Sequence, residues 1–147
     1  ALAAGLAQRC AEGELPPIVG VLLHQPVLDD RPTASKAEFA TTPGFDGAAA
    51  KLMWRHYLGD TAPDAASVPA RNHRLIDTPT TFITCSELDP LRDEAVDYAR
   101  RLMRCGVRTD LHVFGGTCHG FDSLRPEWAV SRALFTMQCA ALGRFFA

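Results

Sequence analysis

Lysine is nearly missing from this chain: of 15 basic residues only Lys36 and Lys51 are lysines, and 17 acidic residues leave a formal net charge of −2. A protein that tracks phosphates needs a basic excess or a basic face, whereas Arg92, Arg100, Arg101 and Arg104 are interleaved with Asp93, Glu94 and Asp97. That is the pattern of a solvated helix face, so nucleic acid is not an expected partner. Long apolar runs are absent too. None approaches the ~20 residues of a membrane span, and no charged start leads into a long apolar stretch as in a secretory leader. The 5 cysteines are odd in number and never fall in C-x-x-C spacing. This argues against a disulfide framework and a structural zinc site, and makes a reducing cytoplasm the expected location. No serine carries a nucleophile motif: Ser35, Ser67, Ser86, Ser123 and Ser131 all lack the flanking glycines that a sharp strand-to-helix elbow requires. Gly115-Gly116 is not followed by Lys-Ser/Thr, and no dinucleotide fingerprint is present. No cofactor is therefore expected.

What remains is an ordinary globular composition. The chain has 147 residues, 47% hydrophobic and 22% charged, enough for one compact unit with its own core. Residues 1–10 have helix composition without a capping residue in front, and the chain reads as beginning inside a helix. Ile18-Val19-Gly20-Val21-Leu22-Leu23 suits a strand buried on both faces. Residues 29–78 are punctuated by Pro32, Pro43, Pro63 and Pro69. They read as an insertion over the sheet with one helix, from about Asp46 to Leu58, expected to turn Trp54 and Tyr57 inward.

From residue 79 the order is β-α-β-α. Thr80 to Cys85 forms a strand, and Arg92 to Arg104 a helix with Ala95, Ala99 and Leu102 on one face. Val107 to Val113 alternates as a half-exposed strand near a sheet edge does, and Pro126 opens a last helix with Val130, Leu134, Met137, Ala141 and Phe145 as its stripe. Strands separated by helices pair in parallel, so the fold class is α/β with a mainly parallel sheet.

In such sheets chemistry collects beyond the carboxyl ends of the strands. Two loops qualify, Ser86 to Leu91 and Gly115 to Phe121. They bring a carboxylate, Asp89, and an imidazole, His119, to successive strand ends. A carboxylate beside a histidine fixes its tautomer, so that the other ring nitrogen can accept a nucleophile's proton. The bland alternative for Asp89 is a turn or helix cap before Pro90. His24, His56, His73 and His112 read as structural or surface residues, and Asp93 and Glu94 as charges at a helix start. Cys118 adjoins His119, but nothing prepares its thiolate, so a Cys-His mechanism is not expected.

The stretch Glu87-Leu88-Asp89-Pro90-Leu91-Arg92-Asp93-Glu94 resembles the acid motif of the hormone-sensitive-lipase-like esterases, the α/β-hydrolase fold-3 family, and His119-Gly120-Phe121 resembles its histidine motif. Gln25-Pro26-Val27-Leu28-Asp29 is similar to the family's strand-end segment, Trp54 to Asp60 to its cap helix, and Val68-Pro69-Ala70-Arg71 to its linker. The resemblance implies that Asp89 is a triad acid and His119 a triad base, acting on a small-molecule ester. It implies a division into hydrolase core (1–28), cap-like insertion and linker (29–78) and closing core (79–147). It places the nucleophile elbow and the oxyanion hole before Ala1, which makes the chain the C-terminal half of a longer hydrolase with the N-terminal half as its partner. It also makes a homodimer through the edge of the 107–113 strand an expectation. A non-catalytic fragment or pseudoenzyme that keeps the fold for binding is the alternative.

Overall fold

The computed structural model describes residues 1–147. A three-stranded parallel sheet runs in the order β1 (Val21–His24), β2 (Thr81–Leu88), β3 (Thr109–Cys118). Around it lie α1 (Leu2–Ala11), α2 (Ala34–Glu38), α3 (Gly47–Leu58), α4 (Arg92–Arg104), α5 (Phe121–Leu124) and α6 (Ala129–Phe145), with a 3₁₀ turn at Pro69–Arg71. None of the helices is long and apolar enough to cross a membrane.

Both strand pairs are parallel, as the alternation of strands and helices predicts. β2 is the central strand and its first six residues are all buried. β3 is an edge strand, and Thr117 alone of its residues is fully buried. Side chains of one sheet face, Val21, Leu23, Ile83 and Cys85, join Ala4 and Ala7 of α1 and Ala95, Tyr98, Ala99 and Leu102 of α4 in one core. Small residues dominate the helix side of this layer and let the helices approach the sheet closely.

Two expectations shift. The first strand begins at Val21 rather than Ile18, and Ile18 and Val19 are exposed. Only alternate residues of β1 are fully buried, because it is an edge of this sheet. Gly20 lies under the Phe145 ring, where a β-carbon would come within 2.5 Å, so the turn into β1 admits α6 only with glycine there. In α1 it is Ala4, Ala7 and Gln8 that face inward, while Leu2 and Leu6 face out. The amide of Gln8 donates to the Pro69 carbonyl and to the Tyr98 hydroxyl, both at 2.9 Å.

α3 forms where the sequence indicates, with the Asp46 carboxylate accepting from Ala49 N at 2.7 Å and Gly59 closing the helix. Trp54 is buried as expected. Tyr57 is not: it is 43% exposed and meets the Trp54 ring edge-on at 5.5 Å. The indole fills the inward position one turn earlier, which leaves the phenol on the rim. Residues 29–78 contribute helices and turns and no strand to the sheet.

Candidate active site

Parallel neighbours β2 and β3 end side by side, so the residues that leave them are forced together. Their register slips between Ser86 and Leu88, where β3 carries the extra residues Gly115 to Thr117 opposite β2. This bulge lets β3 run on to Cys118, beyond the expected end at Val113. The Glu87 carboxylate accepts from Gly116 N at 2.7 Å and holds the bulge in place. His119 therefore leaves directly from a strand.

Asp89 sits in the turn between β2 and α4 and is completely buried. One carboxylate oxygen, Oδ1, accepts from Leu91 N at 2.8 Å, the turn role of an Asp before proline. The other, Oδ2, lies 2.9 Å from His119 Nδ1. Asp89 thus serves the turn with one oxygen and meets the histidine with the other. The His119 side chain is 26% exposed, and its ring lies 4.7 Å from that of Phe45, in the segment before α3. Nδ1 donates to the buried carboxylate, so in the neutral ring Nε2 is the bare nitrogen, and it takes no hydrogen bond from the protein. That nitrogen is placed to accept a proton.

Beside Asp89, burial and then the charge of the Asp89 carboxylate push the Cys85 thiol up to about 12. A neutral thiol there is no nucleophile at physiological pH. The other histidines keep apart from the pair. His24 Nδ1 lies 2.8 Å from Thr84 Oγ1 and Nε2 3.2 Å from Asp122 Oδ1, His112 stacks on Phe82 with ring centres 5.3 Å apart, and His56 and His73 are exposed.

Sequence reasoning missed what surrounds the pair. Glu94 does more than charge the start of α4: it is buried, and Oε1 accepts from Leu28 N at 2.7 Å and Asp29 N at 3.2 Å. Its Oε2 pairs with Lys36 Nζ at 2.5 Å. Burial raises its carboxyl above the usual range despite Lys36 and the two amides. Asp93 likewise reaches α2, accepting from Ser35 N at 2.8 Å, and neither residue caps the helix. Gln25 and Ser86 are also drawn into the strand ends. Nothing local marks these four, because each bonds across 30 residues or more.

A buried carboxylate bonded to a histidine at the ends of adjacent parallel strands marks the candidate site of this α/β protein. Comparison with known proteins agrees: the family described as "alpha/beta hydrolase fold" matches residues 1–123, and the chain belongs to that family, in its hormone-sensitive-lipase-like fold-3 branch. Esterase LipI of Mycobacterium tuberculosis is 36% identical over 124 residues, covering 82% of this chain and 39% of the relative. The crystal structure of esterase LipW from Mycobacterium marinum superposes with a TM-score of 0.97 at 60% identity, covering 99% of this chain and 46% of that one. A bacterial heroin esterase gives 0.94 at 35% identity, over 99% and 48%. The chain spans less than half the length of these relatives.

Proposed function

We propose that this chain supplies the acid, Asp89, and the base, His119, of a carboxylic ester hydrolase whose nucleophilic serine and oxyanion hole lie on a segment preceding Ala1. The 2.9 Å contact between His119 Nδ1 and a fully buried carboxylate carries the reading. Relatives named as esterases support it. In this mechanism the serine hydroxyl attacks the ester carbonyl as His119 Nε2 takes its proton. The imidazolium, stabilised by Asp89, returns that proton to the leaving alcohol. Water then repeats the sequence on the acyl-enzyme and frees the acid and the serine.

Residues 29–78 act in this reading as a cap beside the site, supported by the Phe45 ring against His119. The edge position of β3 supports pairing of two copies along that strand, and the cytoplasm is the proposed location. The test is p-nitrophenyl ester release by the hydrolase chain that carries these residues together with its serine. His119→Ala is expected to lower turnover on the order of 10⁶-fold. Undiminished hydrolysis in that variant would overturn the reading.

A further inference from the structure

The base leaves β3 between two glycines in left-handed conformation. Gly116 and Gly120 have φ of 67° and 70°, and Gly120 follows His119 directly. What fixes the two peptide groups on either side of His119 comes from the other strands. Gln25, the first residue beyond β1, is 5% exposed. Its backbone N donates to the Thr84 carbonyl at 2.7 Å, which extends the pairing of β1 with β2 by one residue. Its side chain then crosses the end of β2. The amide Nε2 donates to Ser86 Oγ at 2.9 Å, and the amide oxygen accepts from Gly120 N at 2.6 Å. Ser86 Oγ in turn donates to the Cys118 carbonyl at 3.0 Å.

Gln25 makes these bonds from φ of +44°, a left-handed conformation that a side chain with a β-carbon rarely adopts. Such a conformation persists only where its surroundings over-determine it, and such positions cluster at working sites. A primary amide offers a donor and an acceptor at once. Glutamate would keep only the acceptor and add a charge, and methionine would keep neither.

We propose that Gln25 is the positioning residue of the base: through Gly120 N directly and the Cys118 carbonyl by way of Ser86, it holds both peptide groups flanking His119 and so sets where Nε2 points. The inference rests on the proposed ester hydrolysis. Gln25 touches no reacting atom, and its effect reaches the reaction through the His119 backbone.

The experiment compares Gln25→Met, Gln25→Glu and Ser86→Ala with His119→Ala in the hydrolase chain that includes the serine, using p-nitrophenyl acetate across pH. Gln25→Met is expected to lower kcat about 10–100-fold with KM within about threefold, the size of effect seen when a supporting group or an ångström of placement is lost. Gln25→Glu, which can still accept from Gly120 N, is expected to recover part of that kcat. Its buried negative charge favours the imidazolium, so the acid limb of kcat/KM moves to higher pH. Ser86→Ala, which frees the Cys118 carbonyl and the Gln25 Nε2 donor but leaves the Gln25 amide oxygen on Gly120 N, is expected to give the smaller loss. A residue that merely packs would alter thermal stability and leave both kcat and the acid limb where they are. That result for Gln25→Met, with His119→Ala inactive, overturns the positioning role and leaves the proposed function standing. Full activity of His119→Ala overturns both. Should Gln25→Met fail to fold, an unchanged kcat and acid limb in Gln25→Glu and Ser86→Ala overturn the inference.

Discussion

The strand ends and residues 40–68 solve the same problem, satisfying polar groups in irregular backbone, in opposite ways. At the strand ends the bonds reach far along the chain: Gln25 to Gly120, Ser86 to Cys118, Asp89 to His119 and Glu94 to Leu28. Between residues 40 and 68 every side-chain hydrogen bond spans three residues or fewer: Thr42 with Phe45, Asp46 with Ala49, and Asp64 with Ala66 and Ser67. The second region is stiffened locally, and its buried side chains are the apolar Ala50, Trp54 and Val68. A group fixed from three strands keeps its position when one loop moves, whereas a locally capped helix can shift as a unit. The first property suits the proposed proton-transferring pair and the second the proposed cap.

The sharpest way to break this contrast is Asp89→Asn. It removes the charge and sets the wrong tautomer, so kcat in the hydrolase is expected to fall about 10⁴-fold while the fold survives. A drop below tenfold, read in the same ester assay, would place Asp89 with the merely structural carboxylates. Next in size is Trp54→Ala, where the lost indole should cost about 3–5 kcal/mol in denaturant unfolding. A cost near zero would mean that apolar packing does not anchor the 40–68 segment.

Glu94→Gln probes the buried carboxylate through pH. Burial raises the folded carboxyl above its unfolded value, so the folded state holds the proton more tightly. The contribution of Glu94 is then fullest below the unfolded value of about 4.3 and declines as pH rises through the folded one. Urea titrations at rising pH should show Glu94→Gln gaining stability relative to the parent protein. The opposite slope would mean that Lys36 outweighs burial. Smallest is Asp46→Ala, expected to cost about 1 kcal/mol by removing the cap of α3, with kcat unchanged.

The same contrast explains what the sequence let a reader see. Asp46 as a cap, Gly59 as a stop and the α6 stripe are local signals that the structure keeps, although α6 begins at Ala129 and leaves Pro126 in the turn before it. Asp89 and His119 were legible because strand order brings successive strand ends together whatever the side chains between them do. The roles of Gln25, Ser86 and Glu94 were not, since each depends on partners that only the folded sheet brings near. Tyr57 shows the limit of periodicity: spacing put it on the apolar face, and the Trp54 ring already filled that place.

The proposed ester hydrolysis depends on which nitrogen of His119 carries the proton. Nitrogen NMR of histidine-labelled hydrolase, at a pH where the ring is neutral, reads that directly. The Asp89 contact predicts a proton on Nδ1 and a bare Nε2, with the Nδ1 proton signal shifted far downfield and altered in Asp89→Asn. A proton on Nε2, or a His119 spectrum indifferent to Asp89→Asn, would contradict it.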